Sequence, residues 1–326
     1  MKKQSDFRVL VHTPAELAQE HLQWAETIQT DPGIQFGISC IDKLVIPMRP
    51  GDLTSIIARP SHGKTSLMAY LARQEANRII ARDAKDREAV VYVTWEQSAE
   101  ELETFFQADD QYSASDVAWG RVDLDIVRKK AVQRASVPIW VIGHGIARAG
   151  QMMPRMTPDT VLGAIETMQT DFGIRPTLML FDYVQLIPIP NVKDRVQQVT
   201  EVPIRVKELA LRIGAPAVVG VQASRDVDNK SEKIPEMRDA QWSSAIEQTS
   251  DKVFGLWRPW QTEAPDTTIE LFGGEKFVVN EWLLVIRLLK QRGDRGRHTW
   301  ALYFEPHFMR LAEIETRQEP STEAIF

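Results

Sequence analysis

The chain has 326 residues, 43% hydrophobic and 26% charged, with a net charge of −6 at pH 7. That balance fits a soluble globular protein, either one large α/β domain with appendages or two small domains. It excludes a uniformly basic nucleic-acid coat protein but not a local basic lining. The single cysteine, Cys40, allows neither an intrachain disulfide nor a cysteine-based zinc site, which suits a reducing cytoplasm.

From the N-terminus, MKKQSDFRVLVHTPAEL has two lysines but no sustained apolar run behind them, so it does not read as a signal peptide. No apolar stretch reaches the ~20 residues of a membrane helix. The expected location is cytoplasmic, away from membranes. Residues 14–29 predict a helix, with Thr13 as N-cap, Pro14 at the first helical position and Glu16 completing the cap. Leu17, Leu22, Ala25 and Ile28 form its thin apolar stripe, which must be covered by the chain's own domain or by a neighbouring copy.

From Gly51 onward, short apolar runs alternate with helical segments. Strands are expected at 53–58, 89–95, 138–143, 177–182 and 215–222. Helices are expected at 64–80, from Ala99, at 157–173 and up to about Ile213. Continuous apolar strands separated by helices indicate a parallel sheet covered on both faces. After residue 250, KVFGLW, TIELFGGEKFVV, WLLVIRLLKQ and HTWALYF read as strands joined by glycine turns, an antiparallel extension of the sheet.

The stretch ARPSHGKTS, Ala58-Arg59-Pro60-Ser61-His62-Gly63-Lys64-Thr65-Ser66, matches the phosphate-loop spacing except that alanine stands in the first glycine position. Alanine serves there if its φ stays negative. In such a loop the backbone N–H groups and a helix N-terminus face the phosphates. Lys64 would neutralise the β- and γ-phosphates of ATP, and the Thr65 hydroxyl would ligate Mg²⁺.

Two acids follow parallel strands on the edge where ligands of such sheets bind. Asp182 ends TLMLFD and is the candidate for metal-side contact. Glu96 lies just beyond VVYVTW and is the candidate general base on water, although an acid there alone reads equally as a helix cap. Gln222 ends APAVVGVQ, within reach of a γ-phosphate or water.

Taken together, ARPSHGKTS, VTWEQSAEEL, LMLFDYVQLI, VVGVQASR, SAIEQTSDKVFGLWR and LLKQRGDRG resemble the DnaB-type replicative helicases in order and rough spacing, over residues 34–312. The resemblance implies a RecA-like P-loop NTPase fold and a ring motor, usually hexameric, that unwinds duplex DNA. It also implies that Ala58 is usual at its position, Glu96 the catalytic base, Asp182 the Mg²⁺-side acid and Gln222 the γ-phosphate sensor. Lys290 and Arg292 would reach the nucleotide of the adjacent subunit. Such a cation supplied in trans is worth about 10³–10⁵ in rate.

By the same resemblance two loops line a DNA channel. One carries Lys193 and Arg195. The other runs from Arg225 to Ser244, and its stretch 225–238 is neutral overall, so charge alone does not announce DNA. Where the family typically has Arg-Glu-Ser-Gly, this chain has Gln241, Trp242, Ser243 and Ser244. Gln241, Ser243 and backbone N–H groups are left to bond phosphates, and Trp242 either stacks on a base or packs.

The expected organisation is a linker or docking helix in 1–33, the ATPase domain in 34–312 and a loose acidic tail in 313–326. Only about 33 residues precede the motor here, so the family's usual helical N-terminal domain, and with it primase recruitment, is not expected of this sequence. The expected function is an ATP-dependent, Mg²⁺-dependent helicase acting on single-stranded DNA in replication, with a helicase loader or other replication proteins as further partners. The rivals are a RecA- or RadA-like or regulatory ATPase that assembles without unwinding, and an assembly module that binds ATP structurally.

Overall fold

A computed structural model describes residues 7–314, apart from 110, 184–185, 190–194, 241–242, 272–273 and 294–295. A 3-10 turn, Phe7–Leu10, leads into α1, Pro14–Thr30. Its expected cap is present. The Thr13 side chain accepts the Glu16 N–H, and the Glu16 carboxylate accepts the Thr13 N–H at 2.8 Å. No α1 residue is buried. Of the stripe, Leu17 and Leu22 stay 56% and 58% exposed while Ala25 and Ile28 are half-buried, so the described part of the domain covers only its second half.

After α2 (Ser39–Asp42) the chain alternates through β1 (Leu53–Ala58), α3 (Lys64–Ala81), β2 (Glu88–Thr94) and α4 (Ala99–Gln107). Two helices that the sequence pattern did not assign follow, α5 (Ala114–Ala118) and α6 (Leu124–Arg134). Neither has a buried residue, so no apolar stripe marked them. Next come β3 (Ile139–Ile142), α7 (Pro158–Phe172), β4 (Arg175–Asp182), α8 (Arg195–Ile213), β5 (Ala217–Gln222), α9 (Ser243–Thr249) and β6 (Lys252–Trp257). The chain closes with β7 (Thr268–Glu270), β8 (Lys276–Val278), β9 (Leu283–Gln291), β10 (His298–Glu305) and β11 (Arg310–Glu313).

Nine strands form one sheet in the order β11-β10-β9-β6-β1-β5-β4-β2-β3. Side chains alternate between faces with the strand period of two. Ile56 and Ala58 of β1 and Leu178 and Leu180 of β4 pack on the α3 side, with Leu67 and Leu71. Leu53, Ile57, Met179 and Phe181 face the other layer, with Ile165 of α7 and Val206 of α8. Covered on both faces, β1 is buried along its whole length, which is why it reads as a continuous apolar run.

Two details differ from the sequence reading. β6 belongs to the parallel set, pairing with β1 from Thr54↔Lys252 to Ala58↔Leu256, and the antiparallel extension begins only at β9. A strand's apolar pattern reports burial, not the direction of its neighbour. β7 and β8 stand outside the main sheet and pair only with each other. At the C-terminus β11 reaches Glu313, whose carboxylate accepts the Cys40 N–H at 2.6 Å, and residues 315–326 lie outside the described set.

A candidate nucleotide site at the sheet edge

The parallel register brings the candidate residues to one edge. Ala58 pairs with Gln222 on one side and Leu256 on the other, while Thr94, two residues before Glu96, pairs with Asp182. Ala58 stays a regular strand residue. The positive φ angles that turn the loop fall at Ser61 (65°) and Gly63 (86°). The positive φ favours glycine at 63, and a Cβ there would also crowd the Phe304 ring at 3.1 Å. Arg59 to Ser66, His62 excepted, line an open cleft of about 800 Å³ together with Glu96 and Gln222. Gln222 is half-buried at the end of β5.

Lys64 opens α3 with its ammonium 4.4 Å from the centre of the Tyr183 ring. Burial lowers its pKa below the ordinary value of 10.5, and the carboxylates of Asp182 and Glu96 oppose that shift. Its stem lies against β5: a Cβ added at Gly220 would sit 2.8 Å from Lys64 Cδ and Cε. A Gly220→Ala protein should therefore keep its fold and displace the lysine. Displacements of this size at a reacting group cost up to about 10²-fold in rate. Turnover measured beside thermal melting checks this, since a loss of stability in proportion to activity would contradict it.

Asp182 is buried at 2% exposure. Its Oδ2 accepts from the Thr65 hydroxyl at 2.7 Å and from Tyr92 at 3.0 Å, while Oδ1 is enclosed with no hydrogen-bond partner. An enclosed carboxylate oxygen without a partner beside a threonine hydroxyl fits a divalent cation seat. Among the described residues no group of three or more His, Cys, Asp or Glu is placed to hold a metal. An ion here would thus draw most of its ligands from phosphates and water, as Mg²⁺ does. Glu96 faces the cleft. Desolvation raises its pKa above 4.5, nearby Asp182 adds to this, and Lys64 opposes it.

The sequence reading missed two residues of this region, Tyr183 and Arg258, and placed His62 among the phosphate-facing loop residues, whereas it turns away from the cleft. Tyr183 lines the cleft beneath Lys64. Arg258, following β6, also lines it, with its guanidinium 5.6 Å from the Phe304 ring centre. His62 is buried, and its Nδ1 accepts the Arg258 N–H at 3.0 Å. Desolvation lowers the His62 pKa to about 4, so the imidazole is neutral at pH 7 and serves as an acceptor. None of these contacts has a local sequence signal, because each depends on which strands the sheet makes neighbours.

Lys290 and Arg292 lie elsewhere. β9 runs antiparallel to β6, placing Gln291 opposite Lys252 at the start of β6 and level with the start of β1. Lys290 Nζ donates to the carbonyls of Glu247 and Ser250, closing the end of α9. Arg292 pairs with Asp251 at 3.2 Å, and Asp251 in turn accepts the Leu53 N–H at 2.8 Å. Burial alone would raise the Asp251 pKa, but the bonds from Lys207 and Leu53 and the charges of Lys207 and Arg292 bring it below 3.8. Arg292 is thus separated from its own phosphate loop by the length of β1, roughly 17 Å at ~3.3 Å per residue, and Lys290, level with Ser55, turns its ammonium toward the same far end.

Lys193, Gln241 and Trp242 lie outside the described residues, as do the side chains of Arg195 and Ser243. Arg225 and Ser244 are exposed. Within the second loop, Lys230 pairs with Asp239 and Glu236, Lys233 with Glu263, and Arg238 with Glu236. Asp228 and Glu232 of the same loop pair outside it, with Arg59 and Arg287.

The family model of the DnaB-like helicase C-terminal domain matches residues 33–313. The chain belongs to this family. The DnaB-like domain so delimited begins just after α1 and contains both the cleft and the Lys290–Arg292 end. The chain is 27% identical over 267 residues to the replicative DNA helicase DnaB of Helicobacter pylori, covering 80% of this chain and 51% of the relative. It is 26% identical over 313 residues to the replicative DNA helicase DnaC of Bacillus subtilis, covering 95% and 62%. The chain thus spans about half to three fifths of these curated relatives.

Among solved structures, an ATPase domain superposes with a TM-score of 0.72 at 18% identity, covering 93% of this chain and 100% of that one. A DnaB-like replicative helicase described with its primase interactions gives 0.70 at 18%, covering 91% and 66%. The fold of this DnaB-like domain is therefore RecA-like, a mostly parallel α/β sheet with an antiparallel C-terminal part. Among the described residues no helix is long and apolar enough to cross a membrane.

Proposed function

We propose that this DnaB-like domain is the motor of an ATP-driven replicative DNA helicase, in which each catalytic site is divided between two copies. The observation that carries the reading is that the cationic groups of Lys290 and Arg292 lie at the end of the parallel strands opposite their own cleft. A cleft with Lys64, Thr65, Glu96, Asp182 and Gln222 at one end of a sheet, and two cations at the other, is completed by head-to-tail packing. Repeated heterologous contacts of that kind close into a ring, here proposed to be a hexamer. The exposed first half of the α1 stripe, Leu17 and Leu22, then lies on the adjacent copy.

In the proposed site, Lys64 neutralises the terminal phosphates and Glu96 takes a proton from the attacking water. Gln222 senses whether the γ-phosphate is present, and Arg292 of the next copy stabilises the charge that develops during transfer. Thr65 and Asp182 would hold Mg²⁺, which when bound neutralises charge on the β- and γ-phosphates. The Arg292 contact exists only while the γ-phosphate does, so hydrolysis changes how two copies pack and moves the loops that carry single-stranded DNA. Lys193, Arg195, Arg225 and residues 241–244 are the proposed DNA contacts, and a loader or other replication proteins the proposed further partners.

Unwinding of a forked duplex, compared with simple stimulation of hydrolysis by single-stranded DNA, tests the reading. Separation of the fork in step with ATP consumption is expected. Hydrolysis stimulated by DNA without strand separation would favour a RecA-like assembly instead.

A further inference from the structure

The phosphate loop is fastened directly to the segment that follows β5. Arg59 donates through Nε to Asp228 Oδ1 at 3.2 Å and through Nη2 to Oδ2 at 3.1 Å, a two-pronged pair, and through Nη1 to the Ala223 carbonyl at 3.3 Å. Ala223 directly follows Gln222, and Asp228 belongs to the 3-10 turn Arg225–Asn229 that opens the second loop. The root of that loop is closed. Ala223 bridges Ala240, and the Ser224 N–H donates to the Asp239 carbonyl at 2.8 Å. One guanidinium therefore touches both the root of the 224–239 excursion and its first turn, while lining the nucleotide cleft.

We propose that Asp228 is a positioning residue, keying the loop after β5 to the phosphate loop through Arg59 so that DNA engagement there changes hydrolysis. The inference rests on the proposed reading of the 225–244 loop as a DNA contact. Forked Arg–carboxylate pairs fix orientation as well as distance. Arg59 is only 16% exposed, so the pair is screened less than an ordinary surface pair. A triphosphate in the cleft offers the same guanidinium a second anion. Whatever draws Arg59 toward phosphate loosens Asp228, and by linkage whatever moves Asp228 changes how Arg59 meets the phosphate. This contact is separate from Gln222, which carries no charge and acts from the strand end.

The test compares wild type, Asp228→Asn and Asp228→Glu in steady-state ATP hydrolysis, without DNA and with saturating single-stranded DNA, alongside thermal melting. Asp228 is 41% exposed, so both variants are expected to fold. Asp228→Asn should keep the DNA-free rate within about twofold and lose about tenfold of the stimulation by DNA, a typical coupling factor. Asp228→Glu, which can still pair, should restore most of it. Stimulation of Asp228→Asn equal to wild type overturns the inference, as does an equal loss of DNA-free and DNA-saturated rates, which marks a merely structural role. If wild type itself shows no stimulation, the DNA-loop reading fails and takes the inference with it. If wild type responds and Asp228→Asn responds equally, only the inference falls.

Discussion

Replacing Glu96 by glutamine is expected to slow ATP hydrolysis by about 10²–10⁴-fold, the usual contribution of a positioned general base. Nucleotide binding should survive. Glu96 faces the cleft beyond β2, and the amide preserves its shape but replaces one accepting oxygen by a donor and cannot take a proton. The pH profile gives a second readout. Desolvation, with Asp182 nearby, raises the Glu96 pKa above 4.5 despite Lys64, so the working carboxylate is lost as pH falls through that raised value. Single-turnover hydrolysis across pH should show an acid limb above pH 4.5 in wild type and none in the variant. Unchanged turnover in Glu96→Gln would remove Glu96 from the role of general base, and absence of turnover in wild type would favour a structural role for bound ATP.

Arg292→Ala is expected to lose more, about 10³–10⁵-fold, the range for an arginine supplied in trans to phosphoryl transfer. The cleft of the altered chain would stay intact, because the guanidinium lies at the far end of β1. The fold should tolerate the change: Arg292 is 62% exposed, and its partner Asp251 keeps Lys207 at 2.6 Å. Lys290 is a less clean target. Its ammonium closes the carbonyl end of α9, so its removal would disturb packing as well as charge. Turnover measured beside nucleotide affinity and assembly state checks the prediction. Near-normal turnover in assembled Arg292→Ala protein would remove the arginine from the site.

The residues adjacent in sequence were the ones most readable beforehand. The phosphate loop, the Thr13–Glu16 cap and the acid ending β4 each follow from a local spacing with a local physical cause. Glu96 and Gln222 were candidates from their places at strand ends, and the family resemblance gave them roles and added Lys290 and Arg292. What stayed hidden depends on strand order. Arg59 and Asp228 are 169 residues apart and meet only because β1 and β5 are neighbours. Arg258 joins the cleft because β6 runs parallel to β1, a direction its apolar run does not encode. The helices α5 and α6 were missed for a simpler reason, since neither buries a residue and periodicity had nothing to mark.

A mixing experiment tests the divided site most directly. Lys64→Ala chains have a damaged cleft and an intact Arg292, and Arg292→Ala chains have the reverse. Each alone should be inactive. Co-assembled in equal amounts, roughly a quarter of the head-to-tail contacts should join an intact cleft to an intact Arg292 by random assortment, and hydrolysis should return in about that proportion. Mixed assemblies that form but recover no turnover would contradict the divided site.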